Sequence, residues 1–495
     1  MVPKTKQFRR IFWFFLCLSL GLTMLGLVTE SGSVAEDQHG LMKRVSERWT
    51  GDLPEIKSQR GVIRVLVTYN QTNFFVELGR QRGMEYELLH QYEEFLNKHK
   101  KKSDLRISVV FVAVPFEELI PALLNGRGDI AASGLTITPE RQAKTAFTKP
   151  YISKVNEIVV TSKKIRGLGD LKDLAGRRIH VVPGTSYIQH LKQLNNRLRK
   201  EGLSPIDIVQ VDKTLSTEDV LELVNAGVFE LTVVDQHLAE LWAKVLPDLV
   251  PHKNLVINSG GNIAWAVRKE NPELLASLNE FVSKHRQGTL LGNILIKRYY
   301  KDTKWIKNPL GQSDMEKFEK LSHLFKKYGQ QYNFDWLKIA ALAYQESGFD
   351  QKAKSPAGAV GIMQILPSTA ATPNVNIPDV SKLENNVHAG VKYLSFLRQR
   401  YFSDPEISPP ARMDFTFAAY NAGPARVRSL RQQARESGVD PNKWFFNVEY
   451  VAQRVVGRET VRYVNNINKY YIAFKSAEKV LVRKSSQVEK YKQKK

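Results

Sequence analysis

The sequence predicts a multidomain chain, an α/β domain followed by an all-α domain. Three observations predict it. With 495 residues the chain exceeds what a single hydrophobic core organises. Residues 60 to 265 alternate short β-branched runs with longer amphipathic stretches, the signature of strands alternating with helices and of a parallel-type sheet. After residue 270 the strand signals stop, and a helical period continues to about residue 475.

The strand-like runs, in order, are VIRVLVTY, ISVVFVAV, DIAASGLTI, NEIVVTS, RIHVVPG, ELTVVDQ and NIAWAVR. Between them YELLHQYEEFLNKH, FEELIPALLNG, SYIQHLKQLNNRLRKEG and TEDVLELVNAG read as helices. In the second block NPELLASLNEFVSKHRQ and GQSDMEKFEKLSHLFKKYGQQY are amphipathic. The stretch 301–314, where Pro309 and Gly311 cluster, is the expected junction. The boundaries follow: residues 1–35 a leader, 36–59 an N-terminal segment, 60–300 the α/β domain, 315–478 the helical domain and 479–495 a tail.

The leader opens with a basic segment, MVPKTKQFRR, and continues with eighteen uncharged residues, 11–28. Ser33-Val34-Ala35 fits a small-x-small cleavage site, so a signal peptide is expected. A retained anchor is the alternative, since that length just spans a bilayer. The single cysteine, Cys17, falls inside this leader, which leaves the rest of the chain without disulfides or thiolate metal sites. The tail carries seven Lys/Arg against one Glu and reads as a solvated segment or a contact for anionic surfaces.

With 42% hydrophobic and 25% charged residues the composition excludes global disorder. The net charge of +23 favours an anionic partner. Nucleic acid is not expected, because the chain is exported and carries no readout motif. No His and carboxylate cluster has metal-ligand spacing, so neither metal nor cofactor is expected.

In FDWLKIAALAYQESGF, Trp336, Ile339, Ala340, Ala343 and Tyr344 recur at helical spacing. Glu346 lies close in angle to Ile339, on the flank of that apolar face. Half desolvation there disfavours the anion and suits a general acid. A Glu turned outward in the last turn, or paired with a nearby lysine, is the plainer alternative. A Gly- and Ala-dotted segment, SPAGAVGIMQILPST, follows, where backbone can approach a ligand closely.

Four motifs in order decide between these readings. They are Glu346-Ser347, Gly361-Ile362-Met363-Gln364, Ala419-Tyr420-Asn421-Ala422-Gly423, and Glu459-Thr460 through Tyr463-Val464. Together they resemble the lytic transglycosylase domain related to goose-type lysozyme. Ile362 replaces the usual Leu, a volume-conserving change. The resemblance implies an all-α lysozyme-like domain that acts on peptidoglycan glycan strands, with Glu346 catalytic. It further implies that Ser355 and Gln364 contact the sugar and its acetamido group, that Tyr420 and Asn421 border the cleavage site, and that Tyr463 stands near the acid. Met363 is expected as wall. A retaining glycosidase needs a second carboxylate about 5 Å from its acid, and nothing in the pattern marks Asp350 as that partner. The resemblance implies instead that the substrate's own acetamido and 6-hydroxyl groups do that work, leaving a 1,6-anhydro product. A hydrolysing lysozyme is the alternative within enzymes.

The first block carries its own motifs: GMEYELLHQYEEFLNK, then LLNGRGDIAASGLTITPERQAKTAFTKPYI, LKDLAGRRIHVVPGTSY, VNAGVFELTVVD and GGNIAWAVRKENPELLASLNEFV. These resemble the periplasmic solute-binding domain of the polar amino-acid transport type, an α/β two-lobed periplasmic-binding-protein-like fold. The resemblance implies that Arg141, with Thr136 nearby, clamps a carboxylate. A guanidinium does this bidentately. Thr185 and Asp235 match positions that hold the carboxylate and the α-amino group. The plainer readings are an Arg141 paired locally with Glu140 and an Asp235 that caps the next helix. Asn70 to Phe75 departs from the family's aromatic-rich entry and leaves side-chain preference open.

Fused, the halves resemble a murein-cleaving enzyme with a ligand-sensing domain, taking a muropeptide or an amino acid. Such a chain is expected in the periplasm, peripherally attached to the outer membrane. The competing reading from another class is a solute receptor whose helical domain anchors it to the wall.

Overall fold

The computed structural model describes residues 44–45, 47–77, 80–100, 106–303, 312–455, 460–475 and 478. The leader, most of the junction, Glu459 and the basic tail lie outside the described residues. Among the described residues no helix is long and apolar enough to cross a membrane.

The strand Val62–Val67 is buried along its whole length, as its apolar run, broken only by Arg64, predicts for a strand covered on both faces. Ile63, Val65 and Val67 enter one apolar cluster and Leu66 another. Arg64 sits in this strand with no exposed surface. It persists there because Asp129 takes its Nε at 3.1 Å and its Nη2 at 2.8 Å, while the carbonyls of Glu47, Gly126 and Trp49 take the remaining donors.

Five strands form the first lobe's sheet, in the order Ser108–Ala113, Val62–Val67, Ile130–Ala131, Ala266–Val267, Ala146–Phe147. The first three pair in parallel, as the alternating pattern predicts, and Ala266–Val267 is antiparallel to both neighbours. The second lobe departs from the parallel expectation. Its centre is the long strand Ile152–Ser162, paired antiparallel with Leu231–Asp235 and Leu249–Ile263. The last of these is irregular, with register shifts from His252 to Ile263. Pro251, Gly260 and Gly261 break its pattern, which hides it in the sequence. Beside this sheet Arg178–Val181 pairs in parallel with Asp207–Gln210.

The helical domain comprises Gln312–Tyr332, Trp336–Ser347, Leu383–Tyr401, Pro409–Ala422, Pro424–Glu436, Glu449–Val455 and a helix over 460–475. The first already begins inside the expected 301–314 junction. Trp336–Ser347 starts where Asp335 Oδ1 accepts from Leu337 N at 3.0 Å and ends on Gly348, which is left-handed at φ 63°. Leu337, Ile339 and Ala340 through Ala343 are buried, so the helix runs through the core. Buried residues of the second lobe and of the helical domain form one continuous apolar cluster.

Between the two domains, Lys469 on the 460–475 helix is buried. Its Nζ lies 3.0 Å from Glu222 Oε2 and 3.7 Å from Asp219 Oδ1, both on the second-lobe helix Thr217–Asn225. Asn468 Nδ2 donates to Thr214 Oγ1 at 2.6 Å, and the Tyr450 hydroxyl donates to the Ala113 carbonyl of the first lobe.

Candidate active site and ligand cleft

Glu346 stands half-buried in the last turn of Trp336–Ser347. The next residue anchors that turn, because Ser347 Oγ donates to Ile362 O at 2.9 Å. The Tyr463 hydroxyl, delivered by the 460–475 helix, donates to Glu346 Oε1. Burial, and then the negative charge of Glu346, push the Tyr463 phenol well above its ordinary value, so it remains a donor. The same two causes raise Tyr420, whose hydroxyl donates to Met363 O at 2.8 Å.

The segment after Glu346 folds as a small floor. Single antiparallel bridges join Lys354 to Val360 and Val360 to Ile365. Ser355 Oγ accepts from Ala359 N at 3.0 Å, which fixes the turn and leaves its hydroxyl hydrogen to donate. Gln364, at φ 45°, gives its Nε2 to Gly361 O at 2.8 Å and Ala353 O at 3.1 Å. Asn421 Oδ1 accepts from Thr460 Oγ1 at 2.8 Å, tying the Tyr420 helix to the Tyr463 helix. The Tyr463 hydroxyl thus meets Glu346 directly and Tyr420 feels its charge, while Ser355 and Gln364 fix the backbone of the floor and Asn421 joins two helices. Asp350 is exposed, and its Oδ1 accepts from Lys352 N at 2.8 Å.

Sequence reasoning missed Asn386. It is fully buried in Leu383–Tyr401, accepts from Met363 N at 2.9 Å, and donates to Val360 O at 2.9 Å and Val380 O at 3.0 Å. One side chain therefore suspends the Gly361 to Gln364 segment. It gave little signal, because Asn386 falls in the first turn of its helix, close to the end where such residues are ordinary.

In the α/β domain, Thr136, Arg141, Thr185 and Asp235 line one cavity between the lobes. Arg141 donates to Thr136 O at 2.5 Å and, across the cleft, to Gly184 O at 2.8 Å. Burial lowers its pKa to about 10, partly offset by Glu157. Its neighbour Glu140 pairs with Lys144 instead, at 3.5 Å. Gly184 has φ +79°, and a Cβ there would lie 2.5 Å from Glu117 Cα, so glycine lets the lobes meet. Thr185 Oγ1 donates to Val182 O at 2.8 Å. Asp235 occupies the N-cap position of the helix Gln236–Trp242, but its side chain makes no capping hydrogen bond there. Its buried Oδ1 has no hydrogen-bond partner among the described residues, and burial, reinforced by Glu157, pushes its pKa up to about 8. Glu218, Ser133 and His237 also line this cavity and were not singled out in the sequence. No group of residues that could hold a metal ion occurs among the described residues.

Residues 62–301 match the bacterial extracellular solute-binding proteins, family 3, and residues 323–442 match the transglycosylase SLT domain. A relative from Desulfosudis oleivorans, membrane-bound lytic murein transglycosylase F, is 30% identical over 85% of this chain and 92% of its own length. The chain belongs to the membrane-bound lytic murein transglycosylase F family. Another member, from Alkalilimnicola ehrlichii, is 28% identical over 83% of each chain. Among solved structures, a mutant of ArgBP from T. maritima is 25% identical with a TM-score of 0.41, covering 50% of this chain and 99% of that one. Membership of the lytic transglycosylase F family means that a peptidoglycan lytic transglycosylase follows a solute-binding domain in this chain.

Proposed function

We propose that Glu346 alone performs both proton transfers of a non-hydrolytic cleavage of the β-1,4 bond between N-acetylmuramic acid and N-acetylglucosamine. The observation that carries this reading is the Tyr463 hydroxyl seated on the Glu346 carboxylate at the end of a buried helix. In the first step protonated Glu346 gives its proton to the glycosidic oxygen as the bond to C1 breaks. The substrate's 2-acetamido oxygen stabilises the positive charge developing at C1. Glu346, now anionic and held by Tyr463, removes the proton of the 6-hydroxyl while that oxygen bonds to C1, closing the 1,6-anhydro ring. The attacking hydroxyl is part of the substrate, so its proximity supplies several kcal/mol of barrier lowering.

Gln364 supports acetamido recognition, since its Nε2 is held by backbone and its Oε1 is able to accept from an N–H donor. Tyr420 and Asn421 border the cleavage site, and Ser355 donates to the sugar. The cleft holding Arg141, Thr136, Thr185 and Asp235 binds a muropeptide or an amino acid and regulates cutting. The leader exports the chain to the periplasm, where it attaches peripherally to the outer membrane.

Mass spectrometry of products from purified sacculi tests the chemistry. The expected products are anhydro-muropeptides, absent with Glu346→Gln. Products heavier by one water would make the enzyme a hydrolase, and undiminished release by Glu346→Gln would remove Glu346 from the mechanism.

A further inference from the structure

The interlobe cavity holds one more buried acid than the recognition of a simple α-amino acid uses. Glu218, 2% exposed, opens the helix Thr217–Asn225 and lines the cavity from the second lobe. The Thr72 hydroxyl of the first lobe donates to it, and no cation pairs with it among the described residues. The neighbouring acids are answered otherwise. Glu222 and Asp219 face Lys469, and Glu157 receives Ser186 Oγ at 2.7 Å and His190 Nδ1 at 2.6 Å.

The acidic and strongly basic side chains lining the cavity are Arg141, Asp235 and Glu218. His237 lines it as well, and burial pushes its pKa down to about 4, so it is neutral at pH 7. An α-amino acid would satisfy Arg141 with its carboxylate and Asp235 with its ammonium, leaving Glu218 desolvated, with hydroxyl and backbone donors but without a cation. An unpaired buried charge is costly, and a second ammonium removes that cost. Two further groups point to a polar ligand: Asp235 Oδ1 and Ser133 Oγ are buried at this cavity without a hydrogen-bond partner among the described residues. We propose that the cleft selects an α-amino acid bearing a second ammonium, and that Glu218 is the residue that receives it. This rests on reading the cleft as an amino-acid-type site. Burial pushes Glu218 up to about 7, the behaviour of an acid that lacks a cation.

Calorimetric titration of the full chain with L-lysine and with L-norleucine, which has the same carbon chain without the ε-ammonium, tests it. Truncating one partner of a buried charge pair weakens binding strongly, so lysine is expected to bind at least about thirtyfold tighter. Glu218→Gln keeps an acceptor for Thr72 and is expected to abolish the preference. Thr72→Val keeps the charge and is expected to retain it. Equal affinity of the wild type for both ligands, or a lysine preference that survives Glu218→Gln, overturns the assignment while the amino-acid reading of the cleft stands. Absence of heat with either ligand overturns that reading and the assignment with it. If Glu218→Gln does not fold, as judged by circular dichroism, the wild-type comparison still decides.

Discussion

Replacing Lys469 by Met is expected to weaken the join between the two domains severely. Its ammonium is buried with Glu222, whose side chain is 1% exposed, and with Asp219 at 18%. Gln71 Nε2 reaches Glu222 Oε1 at 3.3 Å and cannot neutralise it. Met fills a similar volume, so what is lost is the charge and its hydrogen bond. Removing one partner of a buried pair leaves the other uncompensated, at a cost of about 3–5 kcal/mol. Desolvation alone would lower the pKa of Lys469, but Glu222 and other neighbours hold it above the ordinary lysine value. A raised lysine stabilises fully below the unfolded pKa of about 10.4 and loses that contribution as pH rises through the folded value. The cost should therefore be undiminished at pH 7. Urea unfolding of wild type, Lys469→Met, Glu222→Gln and the double variant measures it. The double variant should recover part of the loss, because no buried charge is stranded. A coupling energy below about 0.5 kcal/mol would refute the reasoning, since contacting groups couple by more than that.

Four further outcomes are expected. Tyr463→Phe should lower kcat about ten- to a hundredfold, the worth of a hydrogen bond of about 1.5–3 kcal/mol to a charged group, with the melting temperature little changed. Asn386→Leu should cost at least about 2 kcal/mol in denaturant unfolding, because it strands Met363 N and two carbonyls. Gly361→Ala should destabilise by about 1–3 kcal/mol or more, since Gly361 has φ +77° and a Cβ would lie 2.2 Å from Asn386 Nδ2. Asp235 is an acid whose folded pKa, about 8, lies above its unfolded value, so the folded state binds the extra proton and ligand-free stability falls as pH rises from 4 to 8. Asp235→Asn should flatten that decline in thermal melts and exceed the wild type at pH 8.

The regular parts of this fold were legible because burial wrote itself into local pattern. Val62–Val67 is apolar at every position but Arg64, and Trp336–Ser347 shows its buried face at helical spacing. Leu249–Ile263 was not legible, because its irregular pairing tolerates proline and glycine. The motif residues Glu346, Tyr420 and Tyr463 were found through resemblance, and the structure brings them together. Asn386 escaped notice since its role exists only once a distant segment packs on it. Glu218 was hidden differently. It follows Ser216, which forms a capping box with Asp219, and an acid in a first turn ordinarily needs no further explanation than the helix dipole.

The helix Thr217–Asn225 has a mechanical consequence. Glu218 and Glu222 are four residues apart, about 6 Å along its axis and on one side. The first faces the ligand cavity and the second grips Lys469, whose own helix presents Tyr463 to Glu346. The wall of the cavity and the helix that carries Tyr463 therefore share one mechanical joint, the buried ion pair between Glu222 and Lys469.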